Sequence, residues 1–323
     1  MALVPRTLAI GLAVALYCAE STAQQSYPAK PIRFLVPYSN GGFADTLGRS
    51  LGQYFQEKMG QPVIIDNRPA AGQAVALEMA ARAAPDGYTI VYGTQSGLVL
   101  LTAMRKSLPY DPIRDFAPVG TMFSAFFYLV VNPSLPVKSV QELVAYAKAN
   151  PGKLSFGSNG VGSGQHLAME LFRKRTGIDM VHVPYKGSAF SMTGLQAGEI
   201  QLMMEGAGTV PHMKSGKIRG LAAFTTQRSP SVPDLPTLIE AGVPGDTMQT
   251  WLGLATPAGT PRPVIDRLNR ESGEWLRQPA TRERLTALSL SSVPSTPEEM
   301  AERIRTEIPM WTRIVREAGI EPE

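Results

Sequence analysis

The stretch IRFLVPYSNGGFADTLGRSLGQYFQEKMG, residues 32–60, decides the predicted fold. It opens with five mostly apolar residues that predict a buried strand. Residues 45–59 then repeat apolar side chains at helical spacing, and Gly60 follows as a stop signal. Two adjacent glycines, Gly41 and Gly42, occupy the turn between the two elements. A strand that leads through a short turn into an amphipathic helix is the repeating unit of α/β proteins.

The same alternation continues along the chain. Further helices are predicted at residues 74–84, 139–150 and 165–176, and further strands at residues 63–66, 88–92, 126–131, 154–156, 181–183, 201–204 and 219–224. From residue 263 onward the chain is predicted to be mainly helical, with a capping box at Thr296–Glu299. Pro309 should kink or split the last helix. We therefore expect an α/β fold with largely parallel sheets, and two sets of strands indicate two lobes.

The N-terminus has the pattern of an export signal. Residues 8–18 are an unbroken apolar or small run behind one positive charge, Arg6, and small residues lead to an expected cleavage after Ala23. A buried N-terminal helix is the weaker interpretation, because the run has no polar face. Cys18 is not expected to carry a lipid anchor, since the bulky Tyr17 precedes it. The mature chain is then free of cysteine, soluble and periplasmic.

Length and charge exclude several classes of protein. The 323 residues suffice for one large domain or two medium ones. The formal net charge is +4, and no run of Lys or Arg marks a surface for nucleic acid or for a membrane. We therefore expect no nucleic-acid partner and no membrane-bound segment in the mature chain.

The first candidate site is the glycine loop itself. A helix start presents unpaired N–H groups and the positive end of the helix dipole, and both favour an anion. The alternative is a tight turn in which Asp45 merely caps the helix. The spacing matches neither a dinucleotide fingerprint nor a P-loop, which argues against a nucleotide. The candidate ligand-binding residues are Tyr38, Ser39, Asn40, Gly41, Gly42, Phe43, Ala44 and Asp45.

A second glycine-rich loop, GSNGVGSGQH at residues 157–166, also lies between a predicted strand and a predicted helix. Ser163 is the expected N-cap of that helix. Two such loops in different lobes could face each other across a cleft, which is where open α/β sheets bind ligands. The candidates in this loop are Ser158, Asn159, Gly162, Ser163, Gly164 and His166.

Two lesser candidates also follow predicted strands. Thr94, Gln95 and Ser96 would lie beside the first loop, although an ordinary polar turn explains them equally well. Glu205 could orient a polar group of the ligand, whereas a surface carboxylate is the commoner role of a glutamate.

Catalytic and metal-binding patterns are weak. None of the three histidines has metal-ligand spacing, and we expect no metal and no cofactor. Ser163 lacks the G-x-S-x-G frame of a nucleophile elbow, and no acid is evidently placed to orient a Ser163–His166 pair. An exported serine hydrolase that uses these two residues is kept as the alternative to a binding protein.

With these segments in hand, the chain resembles the Bug-type solute receptors of tripartite tricarboxylate transporters over residues 27–320. The two glycine loops carry part of the resemblance. The remaining motifs are YPAKPI (27–32), DNRP (66–69), APDGYT (84–89), HVPYKG (182–187), PHMKSGKIR (211–219), PDLPT (233–237), Trp251 and AGTP (258–261).

The resemblance implies a type II periplasmic-binding-protein fold, in which residues 24–125 plus 226–323 form one lobe and residues 126–225 the other. It implies a monomeric receptor, not an enzyme, that captures a small carboxylate and delivers it to membrane permease subunits. Di- and tricarboxylates, acidic amino acids and aromatic acids are the expected ligands. Tyr185 is expected near the cleft. A receptor that serves as a sensory partner of a signalling protein would use the same site.

The chain departs from the family pattern in three ways. Ser39 and Asn40 stand before the paired glycines, where small or prolyl residues are usual. Phe43 replaces a small polar residue and could narrow the pocket or stack on an aromatic acid. Glu205 replaces an aspartate, which moves the carboxylate by one methylene group. The identity of the ligand is expected to depend on these positions.

Overall fold

The structure is a computed structural model, and it describes residues 27–69, 73–206, 208–229, 231–245, 248–288, 290–317 and 319–322. The predictions about the export signal, the cleavage after Ala23 and Cys18 lie outside the described residues. Among the helices that are described, none combines the length and the apolar character needed to cross a membrane.

Eleven described strands form two sheets. They are β1 (Ile32–Val36), β2 (Val63–Asn67), β3 (Thr89–Thr94), β4 (Phe116–Phe126), β5 (Tyr128–Val131), β6 (Ser155–Ser158), β7 (Val181–Pro184), β8 (Leu202–Glu205), β9 (Arg219–Ala223), β10 (Gln249–Pro257) and β11 (Leu290–Ser292). The first sheet has the order β11-β4-β10-β3-β1-β2, and the second has the order β7-β6-β8-β5-β9.

Helices connect the strands and cover the sheets. They are α1 (Phe43–Met59), α2 (Ala74–Ala81), a π-helical turn (Ser96–Leu100) that continues into α3 (Leu101–Met104), α4 (Val140–Ala149), α5 (Gly164–Thr176), α6 (Ser188–Ala197), α7 (Thr209–Lys214), α8 (Arg262–Arg277), α9 (Pro279–Ala287) and α10 (Pro297–Glu317). Gly60 ends α1 in the left-handed conformation, as its sequence position predicts. The capping box at α10 is also confirmed, because Thr296 and Glu299 exchange both hydrogen bonds.

The two sheets are mixed, because most strands of each sheet point one way and reversed strands add antiparallel pairs to the predicted parallel ones. In the first sheet β1 to β4 point one way, and β10 and β11 point the other way. In the second sheet only β5 is reversed among the described strands. The chain crosses from the first sheet to the second at the buried Phe127 and returns between residues 223 and 249. The exact division into lobes stays a prediction.

The sequence did not predict strands β4, β10 and β11. It also predicted wrongly that Pro309 would break the last helix. Strand β4 contains Pro118 and Gly120, which are turn signals, and its partners β10 and β11 lie more than a hundred residues away. Pro309 lies inside a single 21-residue helix, α10, so it does not split that helix. The helix persists because it buries an apolar face that includes Met300, Ile304 and Trp311, and tertiary packing outweighs the loss of one backbone hydrogen bond.

Strand β10 approaches β4 so closely that only glycine fits at Gly253. A Cβ atom there would overlap the carbonyl oxygen of Gly120 and would lie 2.9 Å from the Cα of Thr121. Backbone atoms cannot move aside as the end of a flexible side chain can. The contact therefore fixes the position of the reversed strand at the centre of the first sheet.

We predict that Gly253→Ala lowers the free energy of unfolding by about 1–3 kcal/mol, the usual range for overpacking. The matched control is Gly273→Ala in α8, where a Cβ would meet only the end of Arg277 at 3.7 Å. That variant should be stabilised by roughly 0.5–1 kcal/mol, because alanine favours a helix over glycine. Urea unfolding followed by circular dichroism measures both. Equal midpoints for Gly253→Ala and the wild-type protein would contradict the packing of β10 on β4.

Candidate functional site

The first glycine loop joins β1 to α1 and is held in shape by Asp45. Gly41 has a φ of 79°, a conformation that favours glycine. The Gly41 N–H donates to Asp45 Oδ2 at 2.9 Å, and Arg49 Nε donates to the same oxygen at 3.1 Å. Burial raises the pKa of Asp45, but these donors outweigh it and the pKa is lowered. Asp45 therefore stabilises the loop from within, through the backbone of Gly41, whereas the N-cap of α1 is Gly42 and has no side-chain cap.

The other residues of this loop divide between the cleft and the core. Tyr38 and Phe43 pack together, with ring centroids 5.9 Å apart, and both line cavities described below. Ser39 is buried, whereas Asn40 is exposed. Ala44 belongs to the hydrophobic core beneath α1. The aromatic pair is therefore the part of the loop that an occupant of the cleft would meet.

The second glycine loop joins β6 to α5, and Ser163 is its N-cap as predicted. Ser163 Oγ accepts a hydrogen bond from the backbone N–H of His166 at 3.2 Å. The ring of His166 lies beneath the loop, where its Nδ1 accepts from the N–H of Gly162 at 3.2 Å. Ser158 Oγ bonds to Nε2 of His182 at 2.7 Å. Ser158, Ser163 and His166 thus support the loop rather than line the cavities.

His166 and His182 form a stacked pair below this loop. Their ring centroids lie 4.0 Å apart with an interplanar angle of 8°. Burial disfavours the charged imidazolium, so the pKa of each histidine is lowered to about 4. At neutral pH both rings are therefore uncharged, and the hydrogen bonds that they make to the loop depend on that state.

Each glycine loop contacts a segment of the opposite sheet, so the two loops lie on either side of the gap between the sheets. The Gly164 N–H donates to Ser96 Oγ at 3.1 Å, which links the start of α5 to the end of β3. A Cβ atom on Gly187 would lie 2.8 Å from Ser39 Oγ, so the segment before α6 packs on the first loop. The face-to-face arrangement expected from the sequence is thus present in the structure.

Three cavities lie beside these contacts, and some residues line more than one of them. The Lys186 cavity, of about 270 Å³, is lined from the first sheet by Tyr38, Gln73 and Arg105 and from the second by Asn159, Tyr185 and Lys186. The central cavity, of about 20 Å³, is lined by Tyr38, Phe43, Ser96, Gln165, Glu205 and Thr250. The His212 cavity, of about 550 Å³, is lined by Gly41, Gly42, Phe43, Ser188, Glu205 and His212. Tyr38, Phe43 and Glu205 connect the three into one cleft.

Glu205, at the end of β8, is the carboxylate at the centre of this cleft. Only 1% of the residue is exposed. Its Oε1 accepts from Gln165 Nε2 at 3.0 Å and from the Gly206 N–H at 2.8 Å. Its Oε2 is buried and has no hydrogen-bond partner in the described part of the chain. Burial raises the pKa of Glu205 despite these nearby donors.

Comparison with known proteins identifies the family. The family model for "Tripartite tricarboxylate transporter family receptor" matches residues 47–320. The chain belongs to this family. BugT of Bordetella pertussis is 35% identical over 303 residues, which cover 93% of each chain. The Bug-type resemblance seen in the sequence motifs is therefore confirmed.

Solved structures of similar proteins support the same assignment for this receptor. The periplasmic binding protein BugD superposes with a TM-score of 0.88 at 30% identity, covering 92% of this chain and 100% of that one. MatC from Rhodopseudomonas palustris, solved with bound malate, has a TM-score of 0.86 at 31% identity over 90% of this chain and 100% of its own. Another R. palustris protein, solved with adipate, has a TM-score of 0.88 at 33% identity over 92% and 100%.

Several cleft residues of the receptor were missed by sequence reasoning. Gln73 is the one described non-glycine residue with a positive φ, 89°, and its side chain contacts Thr94 Oγ1. Gln165 holds Glu205, and Ser188 accepts from Asn159 Nδ2 at 2.8 Å. A signal for Gln73 was present, since Gly72-Gln73 also lies between a strand and a helix.

The polar turn after β3 serves two purposes. Ser96 reaches the cleft, whereas Gln95 Nε2 donates to Glu307 Oε2 of α10 at 2.8 Å. Trp251 Nε1 donates to the same oxygen at 2.9 Å. Gln95 therefore ties the first sheet to the last helix and does not line the described cavities.

The geometry does not support the hydrolase alternative. Ser163 Oγ bonds to the backbone of His166, and the ring of His166 bonds to Gly162, so the two side chains do not form a nucleophile–base pair. Within the described ranges, no group of three or more His, Cys, Asp or Glu residues could hold a metal ion.

We predict that the stacked histidines make the receptor sensitive to acid. In the unfolded chain these two histidines are protonated as the pH falls below about 6.5, whereas in the folded protein they stay uncharged until about pH 4. Their contribution to stability is therefore complete above pH 6.5 and is lost as the pH falls toward 4. His166→Asn should show a smaller fall in melting temperature over this interval than the wild type. The control, His212→Asn, lies outside the stack and should retain most of the wild-type fall. An unchanged fall in His166→Asn would contradict the prediction.

Proposed function

We propose that this receptor captures a small organic carboxylate in the periplasm and delivers it to the permease subunits of a tripartite transporter. One observation carries the proposal: residues of both glycine loops line the same cleft, Tyr38 and Phe43 from the first loop and Asn159 and Gln165 from the second. Malate and adipate in two structural relatives support the same ligand class.

Binding of this kind needs no covalent chemistry. The N–H groups at the start of α1 and α5 and the dipoles of these helices favour an anion. Each hydrogen bond to the ligand contributes about 1 kcal/mol net. Closure of residues 24–125 plus 226–323 on residues 126–225 would remove the ligand from water and strengthen each of these contacts.

The proposed location follows from the expected export signal. Cleavage after Ala23 would release a chain that begins at Gln24 and carries no cysteine. A monomeric receptor of this kind would then meet its permease at the membrane surface.

We predict that calorimetry with mature protein, whose N-terminus sequences as Gln24, detects binding of at least one di- or tricarboxylate, acidic amino acid or aromatic acid. Ser96→Ala removes the hydrogen bond that joins the two sheets beside the cleft, and because this bond stabilises the closed cleft, its loss should weaken ligand binding by about fivefold, which corresponds to one hydrogen bond of about 1 kcal/mol. Ser215→Ala is the control, because its hydroxyl bonds to His212 on an exposed helix end. Binding of a neutral sugar or a metal, with no response to any carboxylate, would overturn the proposal.

A further inference from the structure

We propose that the ligand is an amino carboxylate whose ammonium group pairs with Glu205 at the centre of the cleft. This inference rests on the proposed function, since it specifies the ligand class of the same site. It starts from a single atom, the Oε2 of Glu205, which is buried and has no hydrogen-bond partner among the described residues.

Only one of the two carboxylate oxygens of Glu205 accepts hydrogen bonds from its surroundings. Oε1 accepts two hydrogen bonds, from the side chain of Gln165 and from the backbone of Gly206. Asn159 and Ser188 also lie close enough to lower the pKa of Glu205, but Asn159 Nδ2 donates to Ser188 Oγ at 2.8 Å and neither residue makes a hydrogen bond of normal geometry to Oε2. A buried acceptor without a donor destabilises the protein, and more so when it carries a charge. The unused oxygen therefore indicates a donor that arrives with the ligand.

The charge balance indicates a cation rather than a neutral donor. Among the described ion pairs, none includes Glu205. Tyr38, whose ring shares the central cavity, is a phenol that carries no charge at neutral pH, and burial raises its pKa further. A ligand with carboxylates alone would bring a second negative charge toward a buried negative charge. An ammonium group supplies both the opposite charge and as many as three N–H donors.

The position of Glu205 allows one ligand to use the carboxylate and the helix starts together. Glu205 lines both the central cavity and the His212 cavity, and the latter is also lined by Gly41 and Gly42. Ser96, which accepts from the start of α5, lines the central cavity as well. The cleft therefore places a carboxylate in the same cavities as residues from the starts of α1 and α5, so a cation and an anion of one ligand can both find partners there, as in an amino acid.

Glu205 has a second possible role, and the experiment must distinguish it from pairing with an ammonium group. Because burial raises its pKa, a protonated Glu205 could instead donate a hydrogen bond to a ligand carboxylate. In that case deaminated acids would bind more tightly as the pH falls, and glutamine would replace glutamate with little loss. Paired ligands that differ only in the amino group distinguish these two roles.

The test is calorimetry on the full mature chain with aspartate and succinate, glutamate and glutarate, and 2-aminoadipate and adipate. We expect the amino member of one pair to bind the wild type at least ~10-fold more tightly, which is about 1.4 kcal/mol. Glu205→Gln should weaken the binding of that amino member by at least ~10-fold. It should change the affinity for the deaminated member by less than ~3-fold. The control, Glu302→Gln, lies exposed on α10 in a pair with Arg305 and should bind as the wild type does.

Equal or tighter binding of the deaminated member by the wild type would overturn the inference, as would unchanged affinity in Glu205→Gln. The comparison in the wild type needs no folded variant, so it decides the matter even if Glu205→Gln is unstable. If carboxylates bind without preference, only this inference fails. If none of these acids binds, and tricarboxylates and aromatic acids do not bind either, the proposed function fails with it.

Discussion

The hydrogen bond from the Gly164 N–H to Ser96 Oγ joins the two sheets at the point on which the rest of the site depends. It brings the start of α5 to the end of β3, and the first loop packs beside it through Ser39 and Gly187. Every cavity of the cleft has residues from both sides of this contact. The contact thus lies beside the cavities in which residues of the two glycine loops face each other.

Each loop is held in shape by a buried polar group below it, not by the residues that would face a ligand. Asp45 binds the backbone of Gly41 in the first loop, and His166 binds the backbone of Gly162 in the second. Glu205 differs from both, because one of its oxygens is left without a donor. Asp45 and His166 therefore stabilise the two loops, whereas Glu205 has an oxygen that can bind an occupant of the cleft.

The sequence predicted what short-range patterns determine. Residues 32–60 were enough to place β1, the glycine turn and α1, and the N-cap at Ser163 followed from its position before an apolar helix. Strands β4 and β10 were missed because their identity depends on pairing with each other across more than a hundred residues. The direction of a side chain was also beyond prediction. His166 turned into the core to stack on His182, and Gln95 turned toward Glu307.

The measurement that tests the two-loop site most directly is amide hydrogen exchange of the mature receptor with and without a saturating carboxylate. Both loops, residues 37–45 and 158–166, should become more slowly exchanging together, because one ligand contacts both helix starts. The exposed end of α10 should not change. Protection of one loop alone, or of neither, would contradict a ligand held between the two sheets.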